Sequence, residues 1–193
     1  TQIALTPGAD ASELNFNWHS ERKAAVPMVK IADNENMENA KLFFGYVTLA
    51  DNDQQTNRVT VTGLKENTKY YYSYSLGKDN WSEPTFYITH ATDSFKALLV
   101  GDIQCSAVDD GTGYKDATSW NTTLNTALKK YPDTSFIISC GDQTQTGASA
   151  TEWAATLSPK AMRNLPMATT IGNHDHKGST YQHYVNNPNS QLI

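Results

Sequence analysis

The chain is poor in cysteine, with only Cys105 and Cys140 among 193 residues. That scarcity excludes a small disulfide scaffold and a thiolate zinc module. Both cysteines fall near the ends of strand-like runs, so two free, half-buried thiols are expected, with a bridge as the alternative. Long apolar runs are missing as well. No stretch approaches the ~18 residues of a membrane-spanning helix, and no membrane partner is expected. There is no basic run, and 20 acidic against 15 basic residues give a formal net charge of −5. This argues against nucleic acid as a partner. The opening Thr1-Gln2-Ile3 has neither a positively charged region nor an apolar signal core, so a targeting segment was removed or never existed. Abundant Asn, Thr, Ser and Tyr beside little Lys give the look of an exported surface. Asn80-Trp81-Ser82 and Asn121-Thr122-Thr123 are formal glycosylation sequons. A secreted, extracellular or cell-surface location is expected.

Residues 1–93 carry short alternating segments and no helical periodicity. Strands are expected over residues 14–18, 26–31, 42–47, 58–61, 70–76 and 85–88, parted by Asn, Asp and Gly. Such spacing predicts an antiparallel sandwich. Within Gly63-Leu64-Lys65-Glu66-Asn67-Thr68-Lys69-Tyr70, the Leu, Thr and Tyr resemble the corner of fibronectin type III and Ig-like sandwiches. There the Tyr hydroxyl bonds back to main chain. Trp18 and Trp81 read as core or corner aromatics, and His19 and His90 as solvated strand ends. The connection 91–96 has no Gly or Pro, which favours a close-packed pair of domains over a flexible tether.

Residues 94–193 read differently. Three apolar runs each end in Gly plus an oxygen-bearing side chain. Ala97-Leu98-Leu99-Val100 runs into Gly101-Asp102-Ile103-Gln104, and Phe136-Ile137-Ile138-Ser139-Cys140 into Gly141-Asp142. Ala168-Thr169-Thr170-Ile171 runs into Gly172-Asn173-His174-Asp175. Between them lie helical patterns at 117–131 and 151–157, with 160–165 extending or following the second. The order β-α-β-α-β predicts a parallel sheet with right-handed crossovers. Its strand ends would then bring the three motifs to one edge, where open α/β sheets bind ligands. Carboxylates are costly to bury unpaired, and Asp, Asn and His converging there suit divalent metal ions.

The order GD, GD, GNHD at helix-length spacing resembles the calcineurin-like metallophosphoesterase superfamily, and its purple acid phosphatase branch in particular. Trp81-Ser82-Glu83-Pro84 resembles the small N-terminal domain of that branch. The resemblance implies a fibronectin III/Ig-like sandwich followed by the N-terminal part of an α/β metallophosphoesterase domain. It further implies hydrolysis of phosphate esters, monoesters more than diesters, by a two-metal centre of Fe, Zn or Mn. By resemblance Asp142 bridges the two metals, Asp102 belongs to one and Asn173 to the other. His174 would contact the phosphate or protonate the leaving group, and Asp175 would orient His174, support the loop or lie solvated at the rim.

Two departures stand out. Gln104 occupies a position that is His in many members; it either supplies a carbonyl oxygen to a metal or stays a rim amide. Gln145 stands where the purple enzymes place a Tyr ligand, which removes the coloured phenolate from its usual position; Tyr114 is the candidate to replace it. His176 and His183 are further imidazoles near the third motif. The remaining histidine segments of the superfamily pattern do not follow His183. The resemblance therefore implies a piece of a longer polypeptide, inactive alone, whose own C-terminal segment or other chains would cover a half-built sheet. The competing reading is a non-catalytic extracellular binding module with an incomplete or decayed phosphoesterase scaffold.

Overall fold

The computed structural model describes residues 3–22, 25–50, 54–108, 113–176 and 181–188. Its first half is β1 (Ile3–Pro7), β2 (Leu14–Glu21), β3 (Met28–Ala32), β4 (Lys41–Phe44), β5 (Tyr46–Leu49), β6 (Gln54–Val61), β7 (Lys69–Gly77), β8 (Asn80–Trp81) and β9 (Thr85–Ile88). One antiparallel sheet runs in the order β1-β2-β6-β5, the other β4-β3-β7-β8 with β9 also on β7. Alternate residues line their inner faces: Leu14, Phe16 and Trp18 of β2 meet Val29, Ile31, Val59, Val61, Tyr72 and Tyr74 in one core. At the corner, the Lys65 N–H donates to the Tyr70 hydroxyl at 2.9 Å, tying the loop to the strand.

Four local expectations change. The run 42–47 is two strands in different sheets, β4 pairing with β3 and β5 with β6. The switch occurs at Gly45, whose N–H bonds to the Pro27 carbonyl at 2.9 Å. A Cβ on Gly45 would overlap the Arg58 carbonyl oxygen. Gly45→Ala is thus expected to cost about 2–3 kcal/mol by overpacking, a fall in Tm of roughly 5–10 °C; thermal unfolding checks it. Next, β1 forms although its sequence has no alternation, because it pairs with β2 and lies against the second half. Trp81 is not a core residue: it is half-buried, with Lys30 Nζ 3.7 Å from its ring centroid. His19 is not simply solvated: it is half-buried against His183 and Tyr184 of the second half.

The second half comprises β10 (Ala97–Val100), α1 (Tyr114–Lys130), β11 (Phe136–Ser139), α2 (Ala150–Thr156), a 3-10 turn (Lys160–Arg163), β12 (Met167–Thr169) and α3 (Tyr181–Tyr184). The strands are parallel in the order β10-β11-β12. Helix α1 buries Ala117, Trp120 and Leu124 and ends in Lys129 and Lys130, which complement the helix dipole. Tyr131, the last residue of the expected helical pattern, is the C-cap and stays exposed. One sheet face, with Ile137 and Met167, packs on Trp120, Leu124, Leu157, Met162, Leu165 and Ala4. On the other face Leu99, Ile138 and Ala168 stand in register, and Leu99 is 70% exposed.

The halves pack directly together. β2 is buried on both faces: its apolar residues point into the sandwich, and its asparagines point at the second half. Asn15 Nδ2 donates to the Asn186 carbonyl at 2.8 Å and Asn17 Nδ2 to that of His183 at 3.0 Å. Thr6 Oγ1 also donates to Asn186 at 2.7 Å, and the Arg58 guanidinium donates to the Gln182 carbonyl. His19 Nε2 donates to the His183 carbonyl at 2.9 Å with its ring 4.3 Å from that of Tyr184; burial lowers its pKa. Farther along, the Tyr72 hydroxyl donates to the Arg163 carbonyl at 2.7 Å. Burial pushes this phenol far up, so it stays protonated and donating. Tyr72→Phe should cost ~1–2 kcal/mol, since the carbonyl loses its partner. Urea unfolding should record this as a lower midpoint at unchanged slope.

Candidate active site

Each of the three motifs begins where a parallel strand ends, so all three loops share the carboxyl edge of the sheet. Main chain zips the first two together. Gln104 N–H donates to the Asp142 carbonyl at 2.8 Å, Cys105 N–H to Gln143 at 3.3 Å, and Gln145 N–H back to Cys105 at 3.0 Å. This closeness has a conformational cost. Asp102, Gln104 and Asp142 hold φ of 50°, 42° and 51°, left-handed backbone that non-glycine residues seldom adopt. Such residues cost on the order of 1–3 kcal/mol each and cluster at functional sites.

The second and third loops clasp each other reciprocally. Asp142 Oδ1, from the second loop, accepts the His174 N–H of the third at 2.8 Å. In return Asp175 Oδ1, from the third, accepts the N–H groups of Gln143 at 2.9 Å and Thr144 at 3.2 Å, and the Thr144 hydroxyl at 3.3 Å. Its Oδ2 accepts Gly172 N–H at 3.0 Å. Gly172 is a requirement of this arrangement, because a Cβ there would overlap Asp142 Oδ1. The second loop is anchored from behind as well: Glu152 Oε2 accepts Thr146 N–H at 2.6 Å, and Thr156 Oγ1 donates to the Gln143 carbonyl at 2.8 Å.

The structure therefore separates residues that stand side by side in sequence. Asp175, expected among the catalytic groups, is fully buried with both oxygens committed to loop main chain; of its three readings, support of the loop is the one realised. His174 is half-buried, and its Nδ1 lies 2.9 Å from the Gln145 carbonyl oxygen. A carbonyl only accepts, so Nδ1 carries the proton and Nε2 is the nitrogen left for chemistry. Asp102 and Asn173 are exposed at the same edge, and Gln104 is half-buried with Nε2 donating to Gln145 Oε1 at 2.9 Å. His176 is exposed, its Nδ1 against the Asn173 carbonyl. His183 does not join the loops; it is buried at the contact with the sandwich. Tyr114 lines a cavity of about 550 Å³ between the helices and β2, beside His19 and Tyr184. Neither cysteine is in a disulfide; Cys105 is buried and Cys140 exposed, where two half-buried thiols were expected.

Could this set hold metal? Its free atoms are carboxylate and amide oxygens, a chemistry that suits Mg, Mn or Fe and is tolerated by Zn. Among the described residues, no group of three or more His, Cys, Asp or Glu is placed to hold an ion. The residues fit a share of a metal centre and fall short of a whole one.

Sequence reasoning missed Thr144, Glu152 and Thr156 as loop anchors. It flagged Gln145 only as a departure, while the structure makes that residue a meeting point of all three loops.

Comparison with known proteins agrees with this geometry. Residues 1–89 match the model of the purple acid phosphatase N-terminal domain. No curated protein matches the chain. Among solved structures, a purple acid phosphatase isolated from yellow lupin (Lupinus luteus) seeds aligns over 96% of this chain with a TM-score of 0.75. At 18% identity that likeness shows a shared fold, and this chain spans 40% of the lupin chain. The sensor domain of the anti-sigma factor RsgI4 from Pseudobacteroides cellulosolvens aligns over 47% of this chain and 75% of its own, at 15% identity. Its TM-score of 0.33 carries no argument. Residues 95–192, just over half of the chain, match the calcineurin-like phosphoesterase model, and the chain belongs to that family.

Proposed function

We propose that this chain is part of a metal-dependent hydrolase of phosphate esters, monoesters above diesters, and that its three loops supply the oxygen-donor share of a two-metal centre. The observation that carries this reading is the reciprocal clasp, which holds the Asp142 carboxylate against the His174 loop at the open edge of the sheet. Asp142 would hold both ions, Asp102 one, Asn173 the other, with Gln104 Oε1 as a further neutral oxygen. When bound, divalent metals supply charge neutralisation and Lewis acidity at phosphorus. The protein's own contribution is orientation and proton handling. The Asp142 carboxylate keeps a fixed direction because Oδ1 is tied to main chain. His174, with Nδ1–H committed to a carbonyl, presents Nε2 to accept a substrate hydrogen bond or pass a proton to the leaving oxygen.

The remaining donors would come from further chain. Two facts support that: the chain spans 40% of the lupin enzyme, and Leu99 stands exposed on an otherwise apolar sheet face. Parallel sheets are stable when covered on both faces. A C-terminal segment of the same polypeptide is the natural cover, and residues 1–193 alone would then have little or no activity. The Asn-, Thr- and Ser-rich composition supports an exported protein.

The test is a titration of the complete polypeptide with manganese or zinc, assayed on an aryl phosphate. Two ions bound per molecule with turnover supports the reading. Sound folding with neither metal dependence nor turnover favours the binding module instead.

A further inference from the structure

Gln145, in the second loop, is bonded to both of the other loops. Its N–H donates to the Cys105 carbonyl of the first loop at 3.0 Å. Its own carbonyl accepts from His174 Nδ1 of the third loop at 2.9 Å. Its side-chain Oε1 accepts from Gln104 Nε2, again in the first loop, at 2.9 Å. Both glutamine side chains are half-buried, so each bond forms where water competes only in part.

These bonds have different consequences. The two made by main chain are independent of what residue 145 is. The side-chain bond is not, and a carboxamide makes it directional. Gln104 Nε2 is spent on Gln145, and since the amide is planar its Oε1 is turned the other way. An apolar side chain at 145 would leave Gln104 free to rotate, and a carboxylate would preserve the acceptor.

We propose that Gln145 is the positioning residue of this site: its side chain orients Gln104 so that Oε1 is the atom offered to a ligand, while its carbonyl holds His174 with Nε2 outward. This rests on reading the loops as a phosphoesterase site, where the residue otherwise expected at 145 would itself bind metal. Here it sets the direction of a neighbour instead.

The test is NMR of the complete polypeptide, metal-free, with glutamine side chains and histidine rings labelled with nitrogen-15. In the unsubstituted protein, the Gln104 carboxamide protons should exchange slowly and show contact with the Gln145 side chain, and His174 should carry its neutral-state proton on Nδ1. Gln145→Met should speed exchange of the Gln104 protons roughly fivefold or more, the loss of one hydrogen bond. Gln145→Glu should restore protection. In both variants His174 should keep its tautomer, because a main-chain carbonyl holds it. A general loosening of the loops would move the histidine signal too, and would overturn the proposal. So would Gln145 Nε2 found donating to Gln104 Oε1, or His174 protonated at Nε2 in the unsubstituted protein. If Gln145→Met fails to fold, the unsubstituted protein's signals decide. An absence of hydrolase activity would refute the phosphoesterase reading and leave these signals unchanged, so the two failures are distinguishable.

Discussion

Asp142→Asn in the complete polypeptide should lose phosphate-ester hydrolysis and at least one of two bound metal ions, with the fold intact. An asparagine oxygen can still accept the His174 N–H, so the clasp that Oδ1 makes at 2.8 Å survives. What disappears is the negative charge, and a neutral amide cannot hold two cations together. His174→Ala should behave oppositely. Its main-chain N–H, the group that holds Asp142, remains, so metal stoichiometry should be unchanged. Turnover should fall by ~10²–10⁴ if Nε2 is the proton-transfer atom. Metal content by elemental analysis, together with kcat, separates the two variants. Full activity with Asn at 142 would contradict the assignment of that carboxylate.

Asp175→Ala should have the largest effect on stability. One fully buried carboxylate serves three main-chain N–H groups and a hydroxyl from two loops. Each buried donor left without a partner costs ~1–3 kcal/mol, so a loss of about 4 kcal/mol is expected. For a chain of this size that lowers Tm by roughly 10 °C. Asp175→Asn keeps one acceptor oxygen and turns the other into a donor facing a donor, so about half of that loss should remain. Calorimetry checks both. A variant with normal stability and lost turnover would return Asp175 to the catalytic group.

His174 and Asp175 mark the limit of what the sequence can tell. Strand ends and motif order were legible, because an apolar run followed by Gly and a carboxylate is a local pattern with a local cause. Which of two adjacent loop residues turns inward is not local. It depends on donors at Gln143 and Thr144, thirty-odd positions earlier, brought near only when β11 and β12 pair. The role of Gln145 was hidden for a similar reason: its side chain could be compared with an expected tyrosine, but its main-chain partners could not be seen. In the sandwich, Leu42 to Val47 reads as one strand because the apolar run continues across Gly45 while the pairing partner changes. β1 had no period to detect, since Ile3 to Thr6 are buried on both faces.

The most direct test is anomalous X-ray scattering at the manganese or zinc edge, from crystals of the complete polypeptide grown with that metal. Scattering peaks at the carboxyl edge of the β10-β11-β12 sheet, within coordination distance of Asp142 and of Asp102 or Asn173, are the predicted result. A protein that hydrolyses phosphate esters with its metals bound elsewhere, or with none at these loops, would contradict the account.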